Sequence, residues 1–189
     1  MERVERVLQS DPFISKADVY VDAQSKINID IEQREPLLRI IDKNGANYYL
    51  DENGVKMPLS KHFAARVLVA TGNIPPYTPD FLTSKNKGLL RDIYNLSEHI
   101  LDDNFLHRQI EQLYVDSKGE VTLVPKVGNQ KIHLGLCDNF ENKLDNLKTF
   151  YKEGIPYIGW HKYRAIDLRY KGQVIGKKKS KRASNNINV

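Results

Sequence analysis

Short apolar runs separated by tight-turn sequences constrain the fold of this chain more than any other feature. Asp42-Lys43-Asn44-Gly45 and Asp51-Glu52-Asn53-Gly54 both contain the Asn-Gly pair, which favours a type I′ hairpin turn with positive φ at both central residues. The runs beside the first turn, Leu37–Ile41 and Tyr48–Leu50, then form a pair of strands. The pattern predicts antiparallel β-structure made of consecutive hairpins.

Further strands and a few helices follow from the same kind of periodicity. Ile27, Ile29 and Ile31 alternate with polar residues, as in an amphipathic strand. Asp138 precedes Glu141 by three residues, an arrangement like a capping box, and predicts a helix start. Together these patterns predict an α+β fold with strands at 17–21, 27–31, 67–70, 110–115, 121–125 and 131–136, and helices at 1–8, 89–100 and from 138 onwards.

The last structured segment, Ala165–Gly176, is predicted to be a single strand. Ile166, Leu168 and Tyr170 have an apolar period of two, which is typical of a half-buried strand. A terminal strand often lies at a sheet edge, where unpaired N–H and C=O groups can pair with another chain. The segment is therefore a candidate surface for binding a partner.

The positive charge is concentrated after this segment. The chain has 29 Lys and Arg against 24 Asp and Glu, a net charge of +5, and the stretch from Lys177 to Val189 carries cations and no acid. A solvated tail accounts for this charge, and a basic module that binds nucleic acid is the alternative.

Residue patterns of catalytic or metal sites are missing from the sequence. The five histidines have no metal-binding spacing, and neither phosphate-binding glycine motif occurs. Cys137 is the single cysteine, so an intramolecular disulfide is impossible, and it is interpreted as a small buried residue. We expect no enzymatic activity, no cofactor and no metal. The sequence also has no secretion signal and no apolar run of the length of a spanning helix, about 20 residues.

Three segments in this order and spacing resemble one known family. They are Gln33-Arg34-Glu35-Pro36-Leu37-Leu38-Arg39 with Tyr48-Tyr49-Leu50-Asp51-Glu52-Asn53-Gly54, then Lys56-Met57-Pro58-Leu59-Ser60, then Ile166-Asp167-Leu168-Arg169-Tyr170. The set is similar to the extracytoplasmic part of the bacterial cell-division protein family FtsQ, called DivIB in Gram-positive bacteria, and especially to its Bacteroidetes-like branch.

The resemblance implies a domain organisation. Residues 1–38 would be the C-terminal half of a POTRA domain, with a helix and its last two strands, followed by an FtsQ-type β domain at 39–178 and a basic disordered tail at 179–189. A membrane anchor and the first part of the POTRA domain would be absent from this chain. The expected location is the periplasmic face of the inner membrane at the division septum.

The resemblance also implies a function and a site. The family acts as a non-catalytic scaffold that recruits the FtsB/DivIC–FtsL pair, and FtsB adds a strand to the edge formed by the last β-strand. An Arg-Tyr pair contributes to that contact and matches Arg169 and Tyr170, and Lys171, Gly172, Gln173, Val174, Ile175 and Gly176 are expected to pair through their backbone. Lys177 stands where a family member has an aromatic residue, and no role is assigned to it.

Three alternatives remain open from the sequence. Tyr170 alternatively packs on the sheet without touching a partner. The chain as a whole is alternatively a basic nucleic-acid-binding module, or a POTRA-containing component of outer-membrane assembly or secretion. With the scaffold function, no nucleic acid is expected as a partner.

Overall fold

The computed structural model describes residues 1–61, 63–83, 88–154, 159 and 162–179. The helices among them are α1 Glu2–Gln9, α2 Leu89–Asp102, α3 Asn104–Gln109 and α4 Phe140–Thr149, the last continued by a π-helical turn at Phe150–Gly154. The strands are β1 Ile14–Val21, β2 Ile27–Gln33, β3 Pro36–Ile41, β4 Asn47–Asp51, β5 Lys56–Met57, β6 Leu68–Gly72, β7 Ile110–Val115, β8 Val121–Pro125, β9 Lys131–Gly135, β10 Tyr163–Asp167 and β11 Ile175–Lys178. The predicted α+β class, with mostly antiparallel strands, is confirmed.

The chain divides into two compact units, Met1–Glu98 and His99–Val189. The first unit begins with a separate two-stranded sheet, in which Ala17 of β1 lies opposite Ile31 of β2 and Val19 lies opposite Ile29. Ala17 and Val19 are buried, whereas Ile29 and Ile31 are exposed although they share the same face. The predicted pair of strands is present, but the apolar side of β2 is open.

The first unit also contains a sheet with the strand order β6-β3-β4-β5. β3 pairs antiparallel with β4 and parallel with β6. Its apolar residues Leu38 and Ile40, and Leu50 of β4, are fully buried, because the alternating positions of these central strands face the core.

The hairpins contain the predicted turns, but the predicted turn type is wrong. Gly45 and Gly54 have positive φ, of 81° and 71°, whereas Asn44 and Asn53 do not. The Asp42 carboxylate instead accepts hydrogen bonds from the backbone N–H of Asn44 and of Ala46, at 2.8 and 2.9 Å. Because this carboxylate closes the turn, only the glycine needs the left-handed conformation.

The second unit contains a sheet with the strand order β11-β10-β9-β8-β7. Neighbours are antiparallel except β9 and β10, which are parallel. Parallel neighbours need a crossover connection, and α4 with its π-helical turn lies between these strands in the chain. One face of the sheet carries the fully buried residues Leu123, Ile132 and Ile166. Leu144 and Leu147 of α4 are fully buried as well.

The starts of α3 and α4 differ from the expectation drawn from the sequence. The carboxylate of Asp103 caps α3, which the sequence patterns do not predict, by accepting the N–H groups of Phe105 and Leu106 at 2.9 and 3.0 Å. The capping box predicted at Asp138 is wrong, because α4 is preceded by Asn139 in the left-handed region with no side-chain cap. Asp138 pairs instead with Lys143 at 2.7 Å.

The prediction of a single final strand at Ala165–Gly176 is also wrong, because this segment is split into two strands. β10 ends at Asp167, the chain turns where Gly172 has a φ of 70° and the Gln173 N–H donates to the Tyr170 carbonyl at 3.1 Å, and β11 begins at Ile175. A turn of this kind reverses the chain direction, so β10 and β11 form an antiparallel pair. The predicted tail beyond residue 179 lies outside the described residues.

Candidate functional site at a sheet edge

The second unit ends in an antiparallel strand pair that we call the C-terminal hairpin, which consists of β10, the connection 168–174 and β11. β11 is the outermost strand of its sheet, and its register places Lys177 opposite Ala165, Gly176 opposite Ile166 and Ile175 opposite Asp167. Among the described residues, no strand pairs with its outer side. Alternate N–H and C=O groups of an edge strand point away from the sheet, so β11 offers a free backbone edge.

The eight residues predicted to bind a partner lie partly in β11 and partly in the connection that precedes it. Ile175 and Gly176 lie in β11, while the other six belong to the connection between the strands. Those six are Arg169, Tyr170, Lys171, Gly172, Gln173 and Val174. The edge strand itself extends two residues further than predicted, to Lys178.

Arg169 is held within the hairpin by a buried carboxylate. Asp167 is fully buried, and its two oxygens accept hydrogen bonds from Arg169 Nε at 2.9 Å and from Arg169 Nη2 at 2.8 Å. A bidentate pair of this geometry is among the stronger ionic contacts in proteins. The Arg169 guanidinium lowers the pKa of the Asp167 carboxyl below its ordinary value, and burial opposes this effect only partly.

Two further contacts fix the direction of the Arg169 side chain. Its Nη1 lies 3.3 Å from Glu120 Oε2, before the start of β8. Its aliphatic stem passes over Gly135, where a Cβ atom would lie 2.7 Å from Arg169 Cγ. Gly135 also has a φ of 79°. Arg169 therefore stabilises the hairpin, and the carboxylates of Asp167 and Glu120 offset its positive charge.

Tyr170, in contrast, points away from the core. It is 53% exposed, and neither an aromatic nor a hydrogen-bond contact of its side chain occurs among the described residues. Tyr114 of β7 is similarly exposed, at 48%. A large aromatic side chain with this exposure is available to a partner and contributes little to the core.

The open face of the sheet in this unit is polar. The strand registers align Tyr114, Thr122, His133, Asp167 and Ile175 in one row across β7 to β11. A groove of about 510 Å³ lies on this face. Thr122 Oγ1 is 3.3 Å from His133 Nδ1, and burial lowers the pKa of the His133 imidazole. His133 is half-buried, in keeping with its place in a strand.

The other segments that carry the resemblance have a structural role in the first unit. Arg34 forms an ion pair with the buried Asp51, and its Nη2 donates to the Ile14 carbonyl at 3.1 Å. Asp51 also closes its own turn by accepting the N–H groups of Asn53 and Val55. The Arg-Glu-Pro segment is thus connected to the turn sequence that follows it.

Neither metal-binding nor membrane-spanning features occur in the part of the chain that the structure describes. No group of three or more His, Cys, Asp or Glu residues there has the arrangement of a metal site. No helix in that part has the length and apolar character required to cross a membrane. Cys137 is half-buried, not fully buried as expected.

Sequence reasoning missed three residues of this edge: Asp167, Lys177 and Lys178. The signal that would have placed them is the Tyr170-Lys171-Gly172-Gln173 segment, since a glycine between polar residues indicates a turn. A turn at this point moves the edge strand to the residues that follow it. Lys177 and Lys178 then become edge residues, and Asp167 becomes the end of the inner strand.

The fold and the site define a class: an α+β protein with an open basic edge strand and, among the described residues, no metal cluster. A family model described as FtsQ/DivIB, C-terminal related matches residues 35–177, and the chain belongs to this family of bacterial cell-division proteins, whose members are non-enzymatic scaffolds. No curated protein matches the chain.

Proposed function

We propose that this chain is a non-catalytic scaffold of the division machinery, which recruits the FtsB/DivIC–FtsL complex to the septum by β-strand addition at the C-terminal hairpin. The observation that carries the proposal is β11, an exposed strand at the end of its sheet with a free backbone edge. In this binding mode, backbone hydrogen bonds provide affinity and alternate side chains provide specificity.

Tyr170 is the side chain we assign to the partner contact. Its exposure of 53% and its position in the connection before β11 support this assignment. Exposed tyrosines are enriched among the residues that contribute most to binding energy. Arg169 supports the same contact from within, because its ion pair with Asp167 orders the connection that holds Tyr170.

Residues 1–38 are proposed to be the closing half of a POTRA domain, followed by the β domain at 39–178. α1, β1 and β2 comprise one helix and a separate two-stranded sheet, and the exposed Ile29 and Ile31 give β2 an apolar face. A two-stranded sheet is marginal without further packing, which favours additional strand and helix structure on this face in the whole domain.

The proposed location follows from the function. A scaffold for FtsB/DivIC and FtsL acts on the periplasmic face of the inner membrane at the division septum. We propose that its contact with the membrane runs through an N-terminal anchor that is separate from both units described above.

The function is tested by titrating a labelled periplasmic segment of the FtsB/DivIC-like protein from the same genome with the wild-type chain and with Tyr170→Ala. We expect saturable binding by the wild type and a dissociation constant about tenfold or more higher for the variant, because a tyrosine anchor is lost. The melting temperature should not change, since the side chain is exposed.

Tyr114→Ala is the matched control, because Tyr114 has nearly the same exposure but lies on β7, four strands away from β11 in the sheet. It should bind like the wild type. Equal loss of affinity in both variants, or a melting temperature that drops for Tyr170→Ala alone, would contradict the assignment of Tyr170 to the partner contact.

A further inference from the structure

We propose that the strand accepted by β11 is acidic, with two adjacent carboxylates opposite Lys177 and Lys178 and an apolar side chain opposite Ile175. This inference rests on the proposed function and specifies the chemistry of the partner. It follows from the charge of the hairpin and from the side of the strand on which each residue lies.

Carboxylates among the described residues offset only part of the positive charge that follows β10. The segment 168–179 contains one arginine, four lysines and no acidic residue. Arg169 is neutralised by the buried Asp167. Lys177 Nζ is 3.8 Å from the same carboxylate while its side chain remains 49% exposed, and Lys178 is exposed with no ion pair among the described residues.

The two lysines lie on opposite faces of the edge. Side chains alternate along a strand, so Ile175 and Lys177 share the face of the polar groove, while Gly176 and Lys178 face the other side. A strand added to this edge therefore meets a cation on each face at neighbouring positions. Two consecutive acidic residues satisfy both.

The remaining two positions complete the pattern. Ile175 is 38% exposed and favours an apolar neighbour across the edge. Gly176 presents no side chain, because the ring of Tyr163 occupies the space that its Cβ atom would need. An antiparallel partner strand then follows the order acidic, acidic, any residue, apolar.

The same lysines disfavour other occupants of the edge. Pairing with the β11 edge of a second copy would bring four lysines together, and lysines on edge strands are a common protection against such self-association. A nucleic acid satisfies the charge but leaves the free N–H and C=O groups of the edge and the exposed Ile175 without partners. An acidic polypeptide strand provides partners for the lysine charges, for the backbone groups of the edge and for Ile175.

The experiment uses a short labelled peptide with Glu-Glu-Thr-Val at its centre, flanked by threonine and valine, and the same peptide with Gln-Gln-Thr-Val. Fluorescence anisotropy with the full chain should show tighter binding of the acidic peptide by about threefold to tenfold, as expected for two exposed ion pairs. The difference should shrink at high salt.

The protein variant Lys178→Glu should remove the preference for the acidic peptide, and a peptide with Lys-Lys-Thr-Val should bind this variant more tightly than the wild type. Lys177→Gln should weaken binding of the acidic peptide, without placing a new carboxylate near Asp167. Lys43→Glu is the matched control, because it makes the same charge change at an exposed lysine in the turn between β3 and β4 and should leave the preference intact.

Peptides N-methylated at alternate positions separate this proposal from the proposed function. If one methylated series abolishes binding while the glutamine peptide binds as tightly as the acidic one, strand addition stands and the acidic inference is overturned. The inference is also overturned if neither peptide binds. It is overturned as well if N-methylation of the acidic peptide does not weaken its binding and an oligonucleotide or an anionic vesicle displaces it. If the wild-type chain does not bind the FtsB/DivIC-like segment itself, the proposed function is overturned.

Discussion

Arg169 matches a partner-contact residue of the family, and its ion pair with Asp167 gives it a structural role as well. Asp167 lies at the end of β10 with its side chain 1% exposed, and Arg169 is two residues later. Burial of a carboxylate is costly unless it is paired and hydrogen-bonded. Arg169 provides that pairing, so its removal would leave a buried charge as well as remove a surface cation.

Asp167→Asn should therefore destabilise the protein by about 1–3 kcal/mol, because one of the two charge-assisted hydrogen bonds to Arg169 is weakened and the other is lost, since an amide nitrogen cannot accept it. The chemical denaturation midpoint should fall with little change in its slope. We expect partner affinity to fall too, since the connection that holds Tyr170 becomes less ordered.

Asp145→Asn serves as the control for this prediction. Asp145 also forms a lysine ion pair, with Lys148, but its side chain is 64% exposed, and exposed ion pairs contribute little to stability. Comparable denaturation midpoints for the two variants would show that the buried Asp167 pair contributes no more to stability than an exposed ion pair.

The same geometry decides how variants of the site residues should be interpreted. Arg169→Ala removes the partner of a buried carboxylate, so loss of binding in this variant has two explanations, a lost contact or a disordered hairpin. Tyr170→Ala changes an exposed side chain and is the cleaner probe of the interface.

At the scale of elements, α3 depends on Asp103 in two distinguishable ways. The Asp103 carboxylate caps the helix through Phe105 and Leu106, and its second oxygen accepts a hydrogen bond from Lys148 Nζ of α4 at 2.8 Å. The pairing with Lys148 lowers the pKa of Asp103. One side chain thus connects a short helix to a neighbouring one.

Asp103→Ala should cost about 1–2 kcal/mol of stability, as expected for the loss of a helix N-cap. Asp103→Asn retains a capping oxygen and loses the ionic contact, so it should cost less. Thermal unfolding of both variants beside the wild type measures the two effects separately.

Equal destabilisation by alanine and asparagine would assign the effect to the contact with Lys148, because only that contact is lost in both. Hydrogen exchange then locates the effect. For the alanine variant we expect faster exchange of the amides of Phe105 and Leu106, which lose their acceptor.

At the scale of the whole molecule, three of the described carboxylates that pair with basic side chains couple stability to pH in the same direction. The pKa values of Asp103, Asp138 and Asp167 are all lowered from 3.8, in each case first by a hydrogen bond to a basic side chain, namely Lys148, Lys143 and Arg169. A carboxyl whose pKa is lower in the folded state stabilises the fold above its unfolded pKa, and this contribution is lost as the pH falls through the folded pKa.

Stability should therefore be constant with respect to these groups at neutral pH and decrease as the pH falls below about 4, where the unfolded chain takes up protons first. Urea denaturation at a series of pH values measures the decrease. In Asp167→Asn the decrease should be smaller than in the wild type, and the two stabilities should converge at low pH. A constant difference between them at all pH values would contradict the role of the Asp167 charge.

Local patterns in the sequence were sufficient for most elements because they reflect local physics. Alternating apolar residues predict β2, and the Asp-x-Asn-Gly segments predict the hairpin of β3 and β4. They did not predict the turn type, since the capping by Asp42 depends on side-chain rotamers that the dipeptide pattern does not specify. α3 was missed for a related reason, because a helix of six residues has little periodicity to detect.

The sequence by itself determined the α+β class and the membership in a division-protein family, because these depend on residue order and short-range periodicity. Only the tertiary structure decided where the edge lies. The period of two continues across Leu168 and Tyr170, yet the chain turns there, because Arg169 folds back onto the buried Asp167 and Gly172 adopts a positive φ. Pairing of residues distant in sequence then makes Lys177 and Lys178 the free edge.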